Sequence, residues 1–443
     1  MWFLLYNLLS IVLSPAVVAI LLLKKRCRRG LWQRVGIRLA DPTPSGNPVI
    51  WLHAVSLGEA TAAVPLVRAM HERYPQVVIM VSTITETGRE VVEQRLGDVA
   101  RHFYFPLDWP WVVRRFVRQL RPTAFIVVET ELWPNLLKCL WHQGVPTILV
   151  NGRISSRSFR RYLCIRSFMA QILSLLSLCL VQSDRDRERL LELGASSEQV
   201  RLTGNMKFDH ISLMDDQRSE DTLSSIVRAH EDEAWIIAGS THPEEENILL
   251  RGFQQLSHIF PHVCLLLAPR HIERADKLEQ TVLDLGLKVV RRSVLGKGGE
   301  VLQGPRVVIL DTRGELADVY AMATLTFVGG TLVPIGGHNL LEPARWGKPV
   351  FFGPHTDHCQ EIATRLVEAG GGIQAQNEIE LIALLKRGLE DREWREGMGH
   401  VSKQVVEMNQ GVVQQNLDLI SGLIDERLRP VDREASHGLR ARS

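Results

Sequence analysis

Acidic side chains stand where two apolar runs of the chain end, a placement that suits proton transfer. The run Val49–His53 is followed by Gly58 and Glu59, at the start of a predicted helix that continues to about Arg73. A carboxylate at this point can take a proton from an attacking hydroxyl. An acidic residue in a first helical turn also complements the helix dipole. The position alone does not separate these two interpretations.

The second acidic group follows the apolar run Ala124–Val128. Glu129 and Glu131 stand at the end of this run, and Pro134 suits the first turn of the next helix. Helix capping by Thr130 explains most of this segment without any catalytic role. The two carboxylates can instead orient an acceptor hydroxyl or tune a neighbouring base.

Glycine pairs and polar side chains recur at the ends of apolar runs in the second half. The segments are Ala238–Glu245, Ala268–His271, Asp311–Leu316, Phe327–Thr331 and Gly336–Pro343. Glycines let the backbone approach a phosphate, and a helix start favours its charge. Arg270 can hold a phosphate through two hydrogen bonds, and Glu342 can bind the vicinal hydroxyls of a ribose. Glycine pairs also serve tight turns, but their repetition predicts a nucleotide site.

Alternating apolar runs and helical stretches must position these groups, and the alternation predicts parallel sheets with crossover helices. The first series of predicted strands is Val49–His53, Val77–Ser82, His102–Pro106, Ala124–Val128, Thr147–Val150, Leu178–Gln182 and Val200–Thr203. The second series is Trp235–Gly239, Val263–Ala268, Lys288–Val290, Val307–Leu310, Leu325–Val328 and Val350–Gly353. The polar segment Ile211–Glu233 reads as a linker with a helix. Two doubly wound domains predict a ligand cleft at the carboxyl ends of their strands.

The N-terminal segment has a different character. Residues Trp2 to Leu23 carry no charge, and a basic cluster at 24–29 follows them. This pattern predicts a transmembrane anchor at 1–24 with its basic end in the cytoplasm. We place the first domain at 25–212, the second at 213–427, with a helical stretch from Glu378 to Arg427, and a polar tail at 428–443. Since the predicted anchor adds nothing to the domain cores, its removal should leave both domains folded.

Basic and aromatic side chains alternate shortly after the fifth predicted strand. They are Arg153, Arg157, Phe159, Arg160, Arg161, Tyr162, Arg166 and Phe168. The group suits a solvated helix face or the anionic headgroups of a membrane. It matches no nucleic-acid-binding module, so no nucleic-acid partner is expected.

Composition places few limits on function. The 443 residues are 45% hydrophobic and 23% charged, which is typical of globular domains. The six cysteines are scattered and include no CxxC pair, so a reducing compartment fits. His355 to His358 resembles a metal cluster, but no complementary ligand set is visible, and we assign no metal.

Several long segments together resemble one family, the transferases of 3-deoxy-D-manno-octulosonic acid (Kdo). They are His53–Glu59, Glu129–Asn135, Thr203–Asp209, Ala238–Pro243, Pro269–His271, Asp311–Leu316 and Phe327–Gly353. The resemblance covers nearly the whole chain in the same order. It implies a GT-B fold, in which two Rossmann-like domains face a cleft, and an inverting transfer from CMP-Kdo to a lipid A precursor. It also implies an enzyme at the inner membrane with its catalytic domains in the cytoplasm, and no cofactor or metal in the chemistry.

The resemblance also implies roles for individual residues. Glu59 corresponds to the family's general base, and Glu131 and Lys207 match positions linked to activity. The CMP contacts fall on Pro269, Arg270, Arg313, Gly314, Glu315, Asn339, Leu340, Leu341 and Glu342. Two positions depart from the family pattern, since Arg313 stands in place of methionine and Leu340 in place of proline. A backbone contact tolerates the first change, and a helix start favours proline without requiring it.

Three alternatives remain open from the sequence. One is another GT-B enzyme that uses a UDP-sugar, such as a membrane-associated N-acetylglucosaminyltransferase. Another is a nucleotide-sugar 2-epimerase, which has the same fold but needs no lipid. The third is an inactive lipid-binding scaffold.

Overall fold

The computed structural model describes residues 1–23, 30–37, 46–212, 232–295 and 303–429. The basic cluster at 24–29, most of the predicted linker and nearly all of the polar tail lie outside the described residues. The chain forms two compact units, one of Met1–His210 with Gly411–Ser443 and one of Ile211–Gln410.

The first unit contains seven parallel strands. They are β1 (Val49–His53), β2 (Val78–Thr83), β3 (Ala100–Tyr104), β4 (Ala124–Val128), β5 (Thr147–Gly152), β6 (Leu178–Val181) and β7 (Val200–Leu202). Its helices up to the linker are α1 (Trp2–Leu23), α2 (Leu31–Arg34), α3 (Leu57–Arg73), α4 (Glu86–Leu96), α5 (Pro110–Leu120), α6 (Pro134–His142), α7 (Ser156–Leu163), α8 (Arg166–Leu173), α9 (Asp184–Glu192) and α10 (Lys207–Ser212). The central strands β1, β4 and β5 are buried along their whole length, as expected of a sheet covered by helices on both faces.

The second unit also contains seven parallel strands. They are β8 (Ala234–Thr241), β9 (Val263–Pro269), β10 (Val289–Arg291), β11 (Val307–Ile309), β12 (Leu325–Val328), β13 (Val350–Phe352) and β14 (Gly372–Gln374). The helices that follow the linker are α11 (Pro243–Ile259), α12 (Ala275–Asp284), α13 (Arg292–Leu295), α14 (Leu316–Val319), α15 (Leu341–Arg345), α16 (Gln360–Ala369), α17 (Glu378–Glu390), α18 (Arg392–Met408) and α19 (Val412–Leu428). Short 3₁₀ turns lie at Ile272–Arg274 and Tyr320–Met322.

Strand order places a topological switch point in each sheet. The first sheet has the order β3-β2-β1-β4-β5-β6-β7, and the second has the order β10-β11-β9-β8-β12-β13-β14. The order reverses between β1 and β4 in the first sheet and between β8 and β12 in the second. The predicted pair of doubly wound α/β domains is therefore confirmed. Ligands of such sheets bind outside the carboxyl ends of the strands at the switch point.

The C-terminal helix α19 belongs to the first unit. Its Ile420 and Ile424 lie in the core beneath β1, and the Tyr74 hydroxyl donates to Asp425 Oδ1 at 2.8 Å. The second unit therefore ends at Gln410, whereas the sequence placed the second domain's end at Arg427. The apolar period of α19 predicts a helix but does not tell which core it covers.

The first two turns of α1 pack on the first unit. The Trp2 and Phe3 rings lie 5.9 and 5.6 Å from the ring of Phe168. The Tyr6 hydroxyl donates to Asp108 Oδ2 at 2.9 Å. The expectation that residues 1–23 add nothing to a domain core is therefore wrong.

Polar contacts continue this docking towards α6. The carboxylate of Asp108 also accepts the backbone N–H groups of Asn135 and Leu136, each at 2.9 Å. The Asn135 amide donates to Asn7 Oδ1 of α1 at 2.7 Å. Across the described residues, no helix has the length and hydrophobicity required to cross a bilayer. The predicted transmembrane anchor is thus not supported.

We expect Tyr6→Phe to lower the free energy of unfolding by roughly 1 kcal/mol, because a hydrogen bond to a buried carboxylate is lost. Removing Met1–Leu23 should cost more, since Phe168 then loses three aromatic contacts. Urea denaturation measures both effects. Ser14→Ala is the matched control, because the Ser14 hydroxyl donates to the Ile11 carbonyl of its own helix. Equal stability of the parent and the Tyr6→Phe variant would contradict the docking of α1.

The basic and aromatic group of the sequence separates into two sets in the structure. Arg157, Arg160 and Arg161 of α7 are exposed, whereas Phe159 packs against the core and Phe168 is buried. The arginines therefore present charge to solvent without aromatic neighbours that could enter a membrane.

Candidate active site

Glu59 lies in the first turn of α3, directly beyond β1. Ser56 caps this helix, and its hydroxyl donates to Glu59 Oε1 at 2.9 Å. The backbone N–H of Val55 donates to Glu59 Oε2 at 2.7 Å. The Ser56 hydroxyl oxygen in turn accepts the backbone N–H of Glu59 at 3.4 Å, and these bonds together fix the carboxylate. Each carboxylate oxygen retains a lone pair that can accept a further proton.

The surroundings of Glu59 favour its protonated form. Burial raises the pKa of Glu59 to about 7, and the nearby Glu129 and Glu131 add to the rise. Its hydrogen bonds from Val55 and Ser56 act in the opposite direction. A base whose pKa lies near neutrality can both accept and release a proton under physiological conditions. The position of Glu59 in the first turn of a helix is therefore confirmed, and its role as the base stays a prediction.

Glu59 belongs to a group of charged side chains. The group also contains Lys207 and the acidic pair after β4, Glu129 and Glu131. The Lys207 ammonium lies 3.4 Å from Glu129 Oε1, with 28% and 18% of the two side chains exposed. Burial raises the pKa of Glu131, and the charge of Glu129 adds to it. The structure thus brings Glu59, Glu131 and Lys207 together, with Glu129 at the centre.

A buried amide network holds Lys207 in place. Asn151 at the end of β5 is fully buried, and its side chain accepts the N–H of Met206 at 3.0 Å. The Asn205 side chain accepts the N–H of Lys207 at 3.1 Å. Glu129 and Asn151 both have positive φ angles, 61° and 54°, which are uncommon for residues other than glycine. Such strain is typical of functional sites and is stabilised here by the surrounding bonds.

We expect Glu129→Gln to shift the acid limb of the activity profile to lower pH. A base must be ionised to accept a proton, so activity falls as the pH drops below the pKa of Glu59. Because the charge of Glu129 raises that pKa, its removal lets Glu59 stay ionised at lower pH. Rates normalised to their plateau and measured across pH test this shift. A limb that stays in place or moves up would show that Glu129 does not act on Glu59.

Histidines and Arg270 gather at the switch point of the second sheet. His242 follows β8, and Pro269 ends β9 directly before Arg270. The backbone N–H of Arg270 donates to the Thr241 carbonyl at 3.0 Å. The Nε2 atoms of His242 and His338 lie 3.1 Å apart, and their rings are stacked. Burial lowers the pKa of His338 to about 4, and Arg270 and the other histidines lower it further. The concentration of positive and neutral donors suits an anion such as a phosphate.

In one predicted phosphate-binding loop, Phe327–Thr331, a carboxylate of the protein occupies the backbone N–H groups. The fully buried carboxylate of Glu245 accepts the backbone N–H groups of Gly330, Thr331 and Leu332 at 2.7, 2.9 and 2.9 Å. These N–H groups are therefore not available to a ligand. Gly329 is required for a different reason, because a Cβ there would lie 2.5 Å from the Ser240 carbonyl. The glycine pair thus serves close packing rather than phosphate binding.

The loop after β11 presents backbone to solvent. Arg313 is 77% exposed, and its guanidinium lies 3.2 Å from Glu273. Gly314 is exposed with a φ of 83°. The carboxylate of Glu315 accepts a hydrogen bond from Arg292 at 3.0 Å. Backbone groups at 313 and 314 are accordingly more accessible to a ligand than the side chain of Glu315.

The segment Asn339 to Glu342 forms the start of α15. Leu340 and Leu341 are buried in the core, so only their backbone can meet a ligand. Leu340 has a φ of −74°, which proline also adopts, so its departure from the family pattern leaves the backbone unchanged. The Asn339 amide donates to Glu342 Oε1 at 3.2 Å. Burial raises the pKa of the Glu342 carboxyl.

The sequence reasoning missed three contributions to these sites. The position of Glu129 directly after a buried strand is a usable signal for a site residue. The segments that contain His242 and His338 carry no local signal that the two rings stack on each other. Glu245 follows His242 by three residues, which is the spacing of a capping box.

Known proteins resemble this chain over most of its length. The sequence profile of 3-deoxy-D-manno-octulosonic-acid transferase (kdotransferase) matches residues 29–210. A 3-deoxy-D-manno-octulosonic acid transferase of Haemophilus influenzae is 34% identical over 435 residues, which cover 97% of this chain and 100% of that protein. The enzyme of the same name from Bordetella pertussis is 32% identical over 89% of this chain and 94% of that protein.

A solved structure shows how widely the fold is shared. A UDP-N-acetylglucosamine 2-epimerase superposes with a TM-score of 0.59 at 14% identity, over 85% of this chain and 96% of that protein. That likeness concerns the fold alone. The near-complete alignment with the Haemophilus enzyme, by contrast, extends across both units and the residues at their switch points. This chain belongs to the 3-deoxy-D-manno-octulosonic acid transferase family.

Proposed function

We propose that this chain transfers Kdo from CMP-Kdo to a hydroxyl of a lipid A precursor, in the synthesis of the lipopolysaccharide core. The activity as a Kdo transferase follows from family membership over the whole chain. The observation that supports the mechanism is the group of Glu59, Glu129, Glu131 and Lys207 at the switch point of the first sheet.

In the proposed reaction Glu59 removes the proton of the acceptor hydroxyl. The oxygen then attacks the anomeric carbon of Kdo while the bond from that carbon to the CMP phosphate breaks, which inverts the anomeric configuration. The positive charge of Lys207 offsets that of Glu129, so the site tolerates the negative charge that develops on the attacking oxygen. The charge of Glu131 adds to the raised pKa of Glu59.

The donor is proposed to bind in the second unit. Arg270 faces no carboxylate within 4 Å among the described residues, so its guanidinium is available to the phosphate of CMP. The exposed backbone at Arg313 and Gly314 and the start of α15 are proposed to hold the nucleoside, with Glu342 on the ribose hydroxyls. The predicted cleft between the two domains, part of the GT-B assignment, stays a prediction.

Attachment to the inner membrane is also a proposal. Many apolar side chains of α1 are exposed, including Leu4, Leu8, Ile11 and Val12. An apolar helix surface of this kind favours the boundary between lipid headgroups and acyl chains. The exposed arginines of α7 add charge that attracts anionic lipid.

Nucleotide preference separates this proposal from its rivals of the same fold. Titration calorimetry with the purified protein should show tighter binding of CMP than of UMP or UDP. A preference for UDP would favour a UDP-sugar transferase or an epimerase and would contradict a CMP-Kdo donor.

A further inference from the structure

A basic cleft lies between α5, α6 and the first turns of α1. It has a volume of about 490 Å³, within the range of small-molecule sites. Its polar lining comprises Arg114 and Arg118 of α5, Lys138 and His142 of α6, Asn135, Gln143 and Asn7. None of its lining residues is acidic. The cleft therefore offers several cations and amide groups to one ligand.

Ordinary structural roles explain only part of this charge. His142 lies in the last turn of α6, where a basic group complements the helix dipole. The Lys138 ammonium lies 4.6 Å from the centre of the Phe3 ring, a cation–π contact that helps to hold α1. Arg118 lies in the last turn of α5 and complements its dipole in the same way, whereas neither role applies to Arg114.

The two arginines are spaced to act together. Four residues apart on α5, they share one face of the helix, where like charges repel. Burial raises the pKa of the Cys139 thiol, and both guanidinium groups act against that rise, which places them beside α6. Neither forms an ion pair with a carboxylate among the residues that the structure describes. An anion bound between them would relieve their repulsion.

The wall formed by α1 continues into an apolar surface. Leu4 and Ile11 lie three and four residues from Asn7, so they share its face of the helix. They are 76% and 47% exposed. A ligand with a charged head and apolar chains would satisfy both surfaces at once, whereas a free phosphate would leave the leucine and isoleucine in water.

We propose that this cleft binds the phosphate headgroup of an anionic membrane phospholipid, whose acyl chains lie along the exposed face of α1. The site is distinct from the acidic group, because Lys138 and His142 stand one and two turns into α6, beyond the end that follows Glu129 and Glu131. It holds the enzyme at the bilayer without taking part in transfer. The inference goes beyond the proposed function, and its main measurement, vesicle binding, needs no transferase activity.

The test compares the full-length parent with Arg114→Gln/Arg118→Gln by vesicle sedimentation. The vesicles consist of phosphatidylcholine with phosphatidylglycerol, and of phosphatidylcholine alone. Each arginine near an anionic surface contributes about 1 kcal/mol, so the double variant should bind anionic vesicles roughly 30-fold more weakly. Leu4→Ser/Ile11→Ser should also weaken vesicle binding, because the apolar face is lost.

Arg115→Gln/Arg187→Gln is the matched control. Both residues are exposed and lie outside the cleft, and the change in net charge is the same. A loss in this control equal to that of the cleft variant would overturn the proposal in favour of general attraction to the surface. Calorimetry should also compare the binding of inorganic phosphate to the parent and to the cleft variant. If phosphate binding weakened by the same factor as vesicle binding, free phosphate would be the occupant and the proposal would be overturned. A raised KM for detergent-dispersed acceptor in the cleft variant would make the cleft an acceptor site and would equally overturn the proposal.

Discussion

Glu59→Gln should lower the rate of Kdo transfer by ~10²–10⁴-fold, the usual effect of losing a general base. The amide oxygen of glutamine can still accept from the Val55 N–H, and Ser56 remains the N-cap, so the start of α3 should keep its structure. The affinity for CMP should not change, because Glu59 belongs to the first unit and the proposed donor site to the second. Steady-state rates and calorimetry measure the two effects separately.

Stability distinguishes a lost base from a damaged fold. Burial raises the folded-state pKa of Glu59 above its ordinary value of 4.5, so its ionisation disfavours the native state as the pH rises towards 7. The glutamine variant should therefore be at least as stable as the parent in mildly alkaline buffer. Glu380→Gln changes the residue with the same bonding pattern at the start of α17, where the carboxylate accepts from the Gln376 N–H, and should leave transfer unchanged. Near-normal turnover of Glu59→Gln would exclude Glu59 as the base.

Arg270→Ala should weaken both CMP binding and transfer. A hydrogen bond to a charged group contributes about 1.5–3 kcal/mol, which corresponds to roughly 10- to 150-fold in affinity. The phosphate is charged before the reaction begins, so the loss should already be visible in the dissociation constant of CMP. This separates Arg270 from Glu59, whose role is confined to the reaction step.

Arg313→Ala is the contrasting variant. The Arg313 side chain is mostly exposed and pairs with Glu273, which is also exposed, and such surface pairs contribute little. If the ligand meets only the backbone there, the affinity for CMP should change by no more than about twofold. An unchanged CMP dissociation constant in Arg270→Ala, or a large loss in Arg313→Ala, would contradict the proposed donor contacts.

Most of the sheet architecture could be predicted because its strands are buried on both faces. Such strands are continuous apolar runs, and β1, β4 and β12 begin and end where the sequence predicts. Strand β14 could not be predicted in this way, because Gly372–Gln374 is a three-residue segment without an apolar run. Its strand conformation depends on pairing with β13.

The types of residue at the sites could be predicted from the sequence, but the contacts between residues that are distant in the chain could not. The spacing of Glu59 after β1 and of Glu131 after β4 indicates that both reach the same edge of the sheet. Nothing local indicates that Lys207, 78 positions further along the chain, pairs with Glu129. Likewise, nothing local indicates that the carboxylate of Glu245, on α11, accepts the backbone N–H of Gly330 in the loop after β12. Such contacts depend on which strands are neighbours, and that order is set by the whole fold.

The docking of α1 and α19 could not be predicted for a related reason. A helix of apolar composition is equally consistent with a bilayer or with a protein surface. The polar contacts of Tyr6 and Asn7 with Asp108 and Asn135 decide between them for the first turns of α1, and they join segments more than 100 residues apart.

Mass spectrometry of the reaction product tests the central claim most directly. The purified protein is incubated with CMP-Kdo and a synthetic lipid A precursor in detergent. We predict a glycolipid that is heavier by one or more Kdo units, with one CMP released for each unit added. An unmodified acceptor in the presence of folded, CMP-binding protein would contradict the proposed function, and so would a sugar added from a UDP donor.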